Sequence, residues 1–115
     1  MDPLNPFTLV LLLNSAIFMG VGRWMFMRPP KKINDLVGYR TRRSMAGQEE
    51  WDYAQKISAA RMERYGWIEA VIAMVWIFIP GVDSFIETMI ATVGIIASCV
   101  VLMVQTENDL KERFG

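Results

Sequence analysis

The feature that most constrains this chain is a set of three long apolar runs separated by polar segments. A helix needs about 20 apolar residues to cross the hydrocarbon core of a bilayer. The first and third runs reach that length, whereas the second stops at Pro80 and is expected to cross tilted or to continue an amphipathic helix before it. We therefore expect an all-α membrane protein with three transmembrane helices. The expected spans are residues 6–27, 65–82 and 85–106, in a single membrane domain of residues 1–115.

The positive charges are segregated along the chain and indicate its orientation. The chain holds 12 basic and 12 acidic residues, but no Lys or Arg occurs in residues 1–22 or 68–104. Short loops rich in Lys and Arg stay in the cytoplasm. Residues 28–64 and the tail 106–115 should therefore face the cytoplasm, with the N-terminus and the turn at residues 81–84 outside.

Two features of the composition argue against catalysis and metal binding. The chain has no His and a single cysteine, Cys99, in the middle of the third run. One cysteine excludes an internal disulfide and a cysteine-built metal site. The absence of His removes the commonest acid/base group near neutral pH and the usual zinc and haem ligands. We expect no cofactor, no metal site, no catalytic residues and no enzymatic activity.

A helical pattern precedes the middle apolar run. From Gln48 onward, apolar and small side chains recur three or four residues apart, as at Trp51 and Ser58, and Ser44 is a candidate N-cap. The pattern predicts an amphipathic helix on the cytoplasmic side, between the first and second spans. It would lie along the inner membrane surface or pack under the bundle, with a bend at Gly66 into the second span.

Ionisable residues inside membrane spans are functional candidates by default. Arg23 lies about one turn inside the cytoplasmic end of the first span, and Glu69 lies at a similar depth in the second. Because the two should sit at the same height, we expect an intramembrane ion pair, with snorkelling of Arg23 alone as the alternative. Asn14, in the middle of the first span, is expected to bond to Thr92, Ser98 or another helix.

The most individual stretch of the chain is the loop after the first span. Residues 30–41 read PKKINDLVGYRT, and a Trp follows ten residues later. This spacing resembles the signature of the SdpI family of bacterial membrane proteins: an Asn, a Gly four residues on, an aromatic or aliphatic residue, Arg-Thr and a Trp. The residues that carry the resemblance are Asn34, Gly38, Tyr39, Arg40, Thr41 and Trp51.

The resemblance implies a function and a location. Characterised members of that family protect against a secreted, membrane-active peptide toxin, and one kind also signals by holding a transcriptional repressor at the membrane. This chain would be a short form with only the signature-bearing membrane half. It would be a multi-pass protein of the bacterial inner membrane, with its N-terminus outside and its C-terminus in the cytoplasm. The six signature residues would form a partner-binding site for the toxin or the repressor.

The basic cluster around the signature has two interpretations. Arg40, Arg42 and Arg43, with Lys31 and Lys32, either set the topology and touch anionic headgroups or dock an acidic cytoplasmic partner. Direct nucleic-acid binding is not expected, because the cluster is small and held at a membrane. The alternative function is a subunit of a small oligomeric transporter or channel. The lipid bilayer is an expected partner, and the chain could also form a homo-oligomer.

Overall fold

The computed structural model describes residues 5–34, 38–79 and 82–115, which form helices α1 (Pro6–Met27), α2 (Gln48–Trp76) and α3 (Ser84–Phe114). No strand occurs in these described ranges, and the predicted all-α fold class is confirmed. Two of the helices, α1 and α3, are long and apolar enough to cross a membrane. The predicted N-terminal segment and the start of the turn at residues 81–84 lie outside the described residues.

Side chains just outside the helices explain where α1 and α3 begin. The Asn5 side chain accepts a hydrogen bond from the backbone amide of Thr8 at 2.8 Å, and Pro6 takes the first helical position. Asp83 caps α3 through the backbone amide of Phe85, also at 2.8 Å. Each cap satisfies an amide that has no partner within its own helix.

Helices α1 and α2 form a close antiparallel pair with one register throughout. Near one end, Phe7 stacks on Trp76 with ring centroids 4.1 Å apart. In the middle, Asn14 bonds to Glu69. Towards the other end, Gly22 meets the backbone of α2. Each step along α1 is therefore matched by an equal step back along α2, and the two helices lie side by side over the whole length of α1.

Helix α2 runs unbroken through Gly66, where a bend was expected. A Cβ at this position would lie 2.6 Å from the Cγ of Met19 and 2.9 Å from the carbonyl oxygen of Ser15. The missing side chain thus allows two helices to approach closely, as small residues do in membrane bundles. The expected amphipathic helix and the expected second span are two halves of one helix. Its first half packs along the C-terminal half of α1.

Helix α3 packs against this pair at two levels. Near its N-terminal end, Ala91 lies in a buried apolar cluster with Phe7 and Ala73. Near its C-terminal end, Thr106 and Leu110 are buried. Between the two levels α3 presents small residues to α2, so the helices enclose space instead of filling it.

The outward faces of all three helices are strongly apolar. Leu13 on α1, Val71 on α2 and Phe85 on α3 are 65%, 61% and 72% exposed. Extensive exposed apolar surface is rare on soluble monomers and marks a surface covered by lipid or by another protein. These faces, together with the two long apolar helices, indicate a membrane protein.

Charge divides the molecule into two ends. We call one the loop end: residues 28–34 and 38–47, the first half of α2 (48–64) and the last part of α3 (105–115). An edge-on contact between Tyr53 and Phe114, with centroids 5.8 Å apart, joins α2 to α3 there. The other end holds the start of α1, the end of α2 and the start of α3. Its described residues include no Lys or Arg.

Candidate functional site

A buried glutamine on α2 holds the backbone of the loop. The Gln55 side chain is fully buried. Its Nε2 donates to the carbonyl oxygen of Tyr39 and its Oε1 accepts from the backbone amide of Tyr39, both at 2.7 Å. A single side-chain amide therefore satisfies both backbone groups of one loop residue, as a neighbouring strand would. This two-point contact fixes where the loop lies on the helix.

Gly38 permits this contact for two reasons. Its φ of +103° is in the region that L side chains rarely adopt. A Cβ there would also lie 2.5 Å from Oε1 of Gln55 and 2.9 Å from Cγ of Pro30. Any larger residue would both strain the backbone and displace the glutamine that holds the loop.

A compact turn follows, tied by Thr41 and Ser44. The Ser44 hydroxyl accepts from the backbone amide of Thr41 at 2.7 Å, and the Thr41 hydroxyl accepts from the amide of Ser44 at 3.2 Å. The Ser44 hydroxyl also donates to the carbonyl oxygen of Tyr39 at 3.1 Å. The predicted N-cap at Ser44 is therefore wrong: this side chain is engaged in the loop, and α2 begins after Gly47 without a side-chain cap.

Trp51 anchors the start of α2 to the end of α1. Its ring is fully buried, and its Nε1 donates to the carbonyl oxygen of Pro30 at 2.7 Å. A buried indole finds a partner for its N–H in this way. Trp51 thus lies inside the loop end, where it closes the connection between the two helices.

The hydroxyl of Tyr39 extends the site to α3. It lies 2.9 Å from Oε1 of Glu107 and 3.1 Å from the carbonyl oxygen of Met103, so its hydrogen has two acceptors. Burial and the hydrogen bond to Glu107 raise the pKa of Tyr39 above its ordinary value. The phenol therefore stays protonated and can donate at any physiological pH. One residue of the loop thus contacts both α2 and α3.

Ion pairs surround this core, whereas Arg40 stands apart from them. The Nε of Arg43 lies 3.4 Å from Oε2 of Glu107. Arg61 pairs with Asp109 and donates to the Thr106 hydroxyl at 3.2 Å. Arg40 is exposed, and within the described part of the chain its side chain has no hydrogen-bond or ion-pair partner. The fold therefore presents Arg40 to the surroundings.

The structure brings four of the six signature residues into one packed unit: Gly38, Tyr39, Thr41 and Trp51. The Asn34 amide donates to the carbonyl oxygen of Lys32 at 2.9 Å, a local bond within the loop. The sequence analysis missed Gln55, which holds the unit together. Its signal was available, because a polar residue one turn after Trp51 interrupts the apolar face of α2.

A second polar cluster lies in the middle of the bundle and replaces the expected Arg23–Glu69 pair. Glu69 is 6% exposed. Its Oε2 accepts from Nδ2 of Asn14 at 2.6 Å, and its Oε1 accepts from the Ser98 hydroxyl at 3.1 Å. Each of the three helices contributes one of these residues. Asn14 thus bonds to another helix, as predicted, and its partner is Glu69 on α2, not Thr92 or Ser98.

Arg23 pairs instead with Glu63, its guanidinium 3.6 Å from Oε1 and its side chain 66% exposed. The prediction was wrong because it took α2 to enter the membrane near Tyr65. The first half of α2 in fact lies beside α1, so the residue level with Arg23 is about two turns earlier on α2. No group of three or more His, Cys, Asp or Glu side chains within the described ranges could hold a metal ion.

The chain is similar to known proteins over most of its length. Residues 31–106 match the sequence profile of the SdpI/YfhL protein family, which covers the loop, α2 and most of α3. A relative from Bacillus subtilis (strain 168), described as "Uncharacterized protein YfhL", is 35% identical over 100 residues. The aligned region is 87% of this chain and 84% of the relative. No solved structure matches the chain significantly.

Proposed function

Because the chain belongs to the SdpI/YfhL family, as its signature residues predicted, we propose that it is a non-enzymatic protein of the bacterial inner membrane. In this proposal it gives immunity against a membrane-active peptide toxin or signals from the membrane, as characterised members of the family do. The relative in Bacillus subtilis has no described function.

We propose that the chain crosses the membrane three times, because α2 spans it in addition to α1 and α3. Its second half exposes large apolar side chains, among them Trp67, Val71 and Val75, as α1 and α3 do at the same level. The loop end would face the cytoplasm, because it holds every Lys and Arg of the described chain except Arg23 and the other end has none. The N-terminus would then lie outside and the C-terminus in the cytoplasm.

The observation that carries the functional proposal is the rigid presentation of Arg40. Its neighbours Tyr39 and Thr41 are held by Gln55 and Ser44, whereas the Arg40 side chain is exposed. Because its backbone is already ordered, Arg40 would lose only side-chain entropy when it binds, at a cost of about 0.5–1.5 kcal/mol. We propose that Arg40 and the exposed Arg42 beside it form a docking surface for an acidic cytoplasmic segment, such as that of a repressor.

The test compares two exposed basic residues in the same loop. Arg40→Ala and Lys32→Ala would be produced at equal membrane levels in a strain challenged with the secreted toxin against which characterised family members protect. We expect the wild type and Lys32→Ala to restore survival and Arg40→Ala to abolish it. If both variants behave alike, the loop is only a topology signal. If the wild type gives no protection, the immunity proposal fails.

A transporter or channel subunit is the second candidate, and one observation favours it. The carboxylate of Glu69 meets polar side chains from the other two helices in the apolar part of the bundle. Intramembrane carboxylates of this kind often mark ion pathways. Wild-type protein and Glu69→Gln would be reconstituted in liposomes, and proton and sodium flux measured. Flux that requires Glu69 would support this candidate; rates equal to those of empty liposomes would exclude it.

A further inference from the structure

An open cavity of about 410 Å³ lies between α2 and α3, with α1 as its floor. That volume is within the range of small-molecule sites in proteins. It exists because α3 presents small residues towards the larger aliphatic side chains of α2. Its lining includes Phe7, Leu11, Ile68, Ile72, Ala91 and Gly94.

One carboxylate is built into this apolar wall. Glu69 lines the cavity beside Ser98, and its side chain is almost fully buried. Its two oxygens accept one hydrogen bond each, from Asn14 and from Ser98. A carboxylate has about four acceptor positions, so about two remain for another donor.

Glu69 has no cationic partner among the described side chains. Both of its donors are neutral groups, and no Lys or Arg occurs among the described residues that line the cavity. A buried charge is normally paired, because an apolar surrounding strongly disfavours an isolated ion. A cationic group placed in the cavity would supply the missing partner for Glu69.

We propose that this cavity binds a lipophilic amine, a small ligand with an apolar body and one protonated amino group that enters from the bilayer. Its N–H groups would donate to the free acceptor positions of Glu69, a charge-assisted and therefore strong hydrogen bond. Its apolar body would lie against Phe7, Leu11 and Ile72. This goes beyond the role proposed for the loop end, since the cavity lies in the middle of the bundle. It shares Glu69 with the transporter candidate, and binding of the amine without ion flux would distinguish the two.

The lining favours a small amphiphile as the occupant, because it is apolar apart from one carboxylate and its neighbouring hydroxyls. A lipid acyl chain is the remaining competitor, and it would be indifferent to Glu69.

The test uses a fluorescent amine and its neutral counterpart. Anthracenylmethylamine and anthracenemethanol would be titrated into nanodiscs that contain the full chain, with empty nanodiscs subtracting partition into lipid. We expect the wild type to bind the amine at least about tenfold more tightly than the alcohol. Glu69→Gln should bind the two probes equally.

Two glycine substitutions provide a steric test that keeps Glu69 in place. Gly94 lines the cavity, and a Cβ there would meet no atom within 4 Å, so Gly94→Leu can fill the space without disturbing the helices. Gly20 on α1 is equally open but does not line the cavity, which makes Gly20→Leu the control. Gly94→Leu should lose amine binding, and Gly20→Leu should keep it.

Two results would overturn the proposal. Equal binding of amine and alcohol by the wild type would mean that the groove takes acyl chains without regard to Glu69. Unchanged amine binding by Gly94→Leu, with wild-type helicity by circular dichroism, would place the amine elsewhere. If Glu69→Gln does not fold, the proposal is still tested by the comparison of amine and alcohol on the wild type and by the Gly94→Leu and Gly20→Leu variants.

Discussion

The side-chain amide of Gln55 pairs with both backbone groups of Tyr39, donating to its carbonyl and accepting from its N–H, each at 2.7 Å. Because Gln55 is fully buried, this pairing sets both the position and the direction of the loop on α2. The contact of the Tyr39 hydroxyl with α3 and the outward direction of Arg40 follow from it.

The first prediction is that Gln55→Ala destabilises the protein strongly. Removing the amide leaves the N–H of Tyr39 without a partner in a poorly hydrated site and leaves its carbonyl with only the Ser44 hydroxyl. An unsatisfied buried polar group costs about 1–3 kcal/mol. We expect a loss of that size in the free energy of unfolding, measured by titration with denaturing detergent in mixed micelles.

The control is Gln48→Ala, one and a half to two turns earlier on the same helix. The Gln48 amide also bonds to a loop carbonyl, that of Lys31, at 2.7 Å, but it is exposed. Water can replace this bond, so we expect a loss of less than about 0.5 kcal/mol. Equal losses for the two variants would show that burial of Gln55 does not matter.

The second prediction concerns the close approach of α1 and α2. Gly66→Ala would place a methyl group 2.8 Å from the backbone nitrogen of Met19, and backbone cannot move aside cheaply. We expect a loss of about 1–3 kcal/mol from overpacking. Gly20→Ala, with no atom within 4 Å, should be neutral or stabilising by up to about 1 kcal/mol through helix propensity. Unfolding in detergent checks both, and a tolerated Gly66→Ala would contradict the register.

The third prediction concerns which side chains interact with Arg23 and which with Glu69. Double-mutant cycles should give a coupling of at most about 1 kcal/mol between Arg23 and Glu63, because the Arg23 side chain is 66% exposed. Asn14 and Glu69 should couple by about 0.5–2 kcal/mol. Arg23 and Glu69 should be additive. A substantial coupling between Arg23 and Glu69 would restore the ion pair that the structure replaces.

The fourth prediction is a loss of stability at alkaline pH that depends on Tyr39. Its pKa is raised in the folded state by burial and by the hydrogen bond to Glu107. The contribution to stability is therefore full below the unfolded pKa of about 10 and is lost as pH rises through the higher folded value. Tyr39→Phe should be less stable than the wild type near neutral pH and should lack this alkaline decline. Unfolding measured from about pH 8 upward checks it, and parallel curves would contradict it.

The parts of the fold that could be predicted depend on local signals. The length of an apolar run and a cap such as Asn5 or Asp83 can be read from residues adjacent in the sequence. They therefore predict α1 and α3 directly. The register between α1 and α2 depends on which small residues meet, as Gly22 and Gly66 do. That is a property of pairs, which is why the sequence analysis placed Arg23 level with Glu69.

The candidate site was predictable only in part for a similar reason. The spacing of Gly38, Tyr39 and Trp51 drew attention to the loop. It did not show that the partner of the loop is Gln55, 16 residues after Tyr39. A buried polar residue on an apolar face points to a hydrogen-bond partner from elsewhere in the chain. It does not identify that partner.

The most direct test of the account is the side of the membrane on which each end lies. In a Cys99→Ser background, single cysteines at Asp83 and at Arg43 would be labelled in intact cells with a membrane-impermeant thiol reagent. We predict that Asp83→Cys reacts at once and that Arg43→Cys reacts only after the membrane is permeabilised. Labelling of both positions from the same side would show that α2 does not cross the membrane, and would contradict the account.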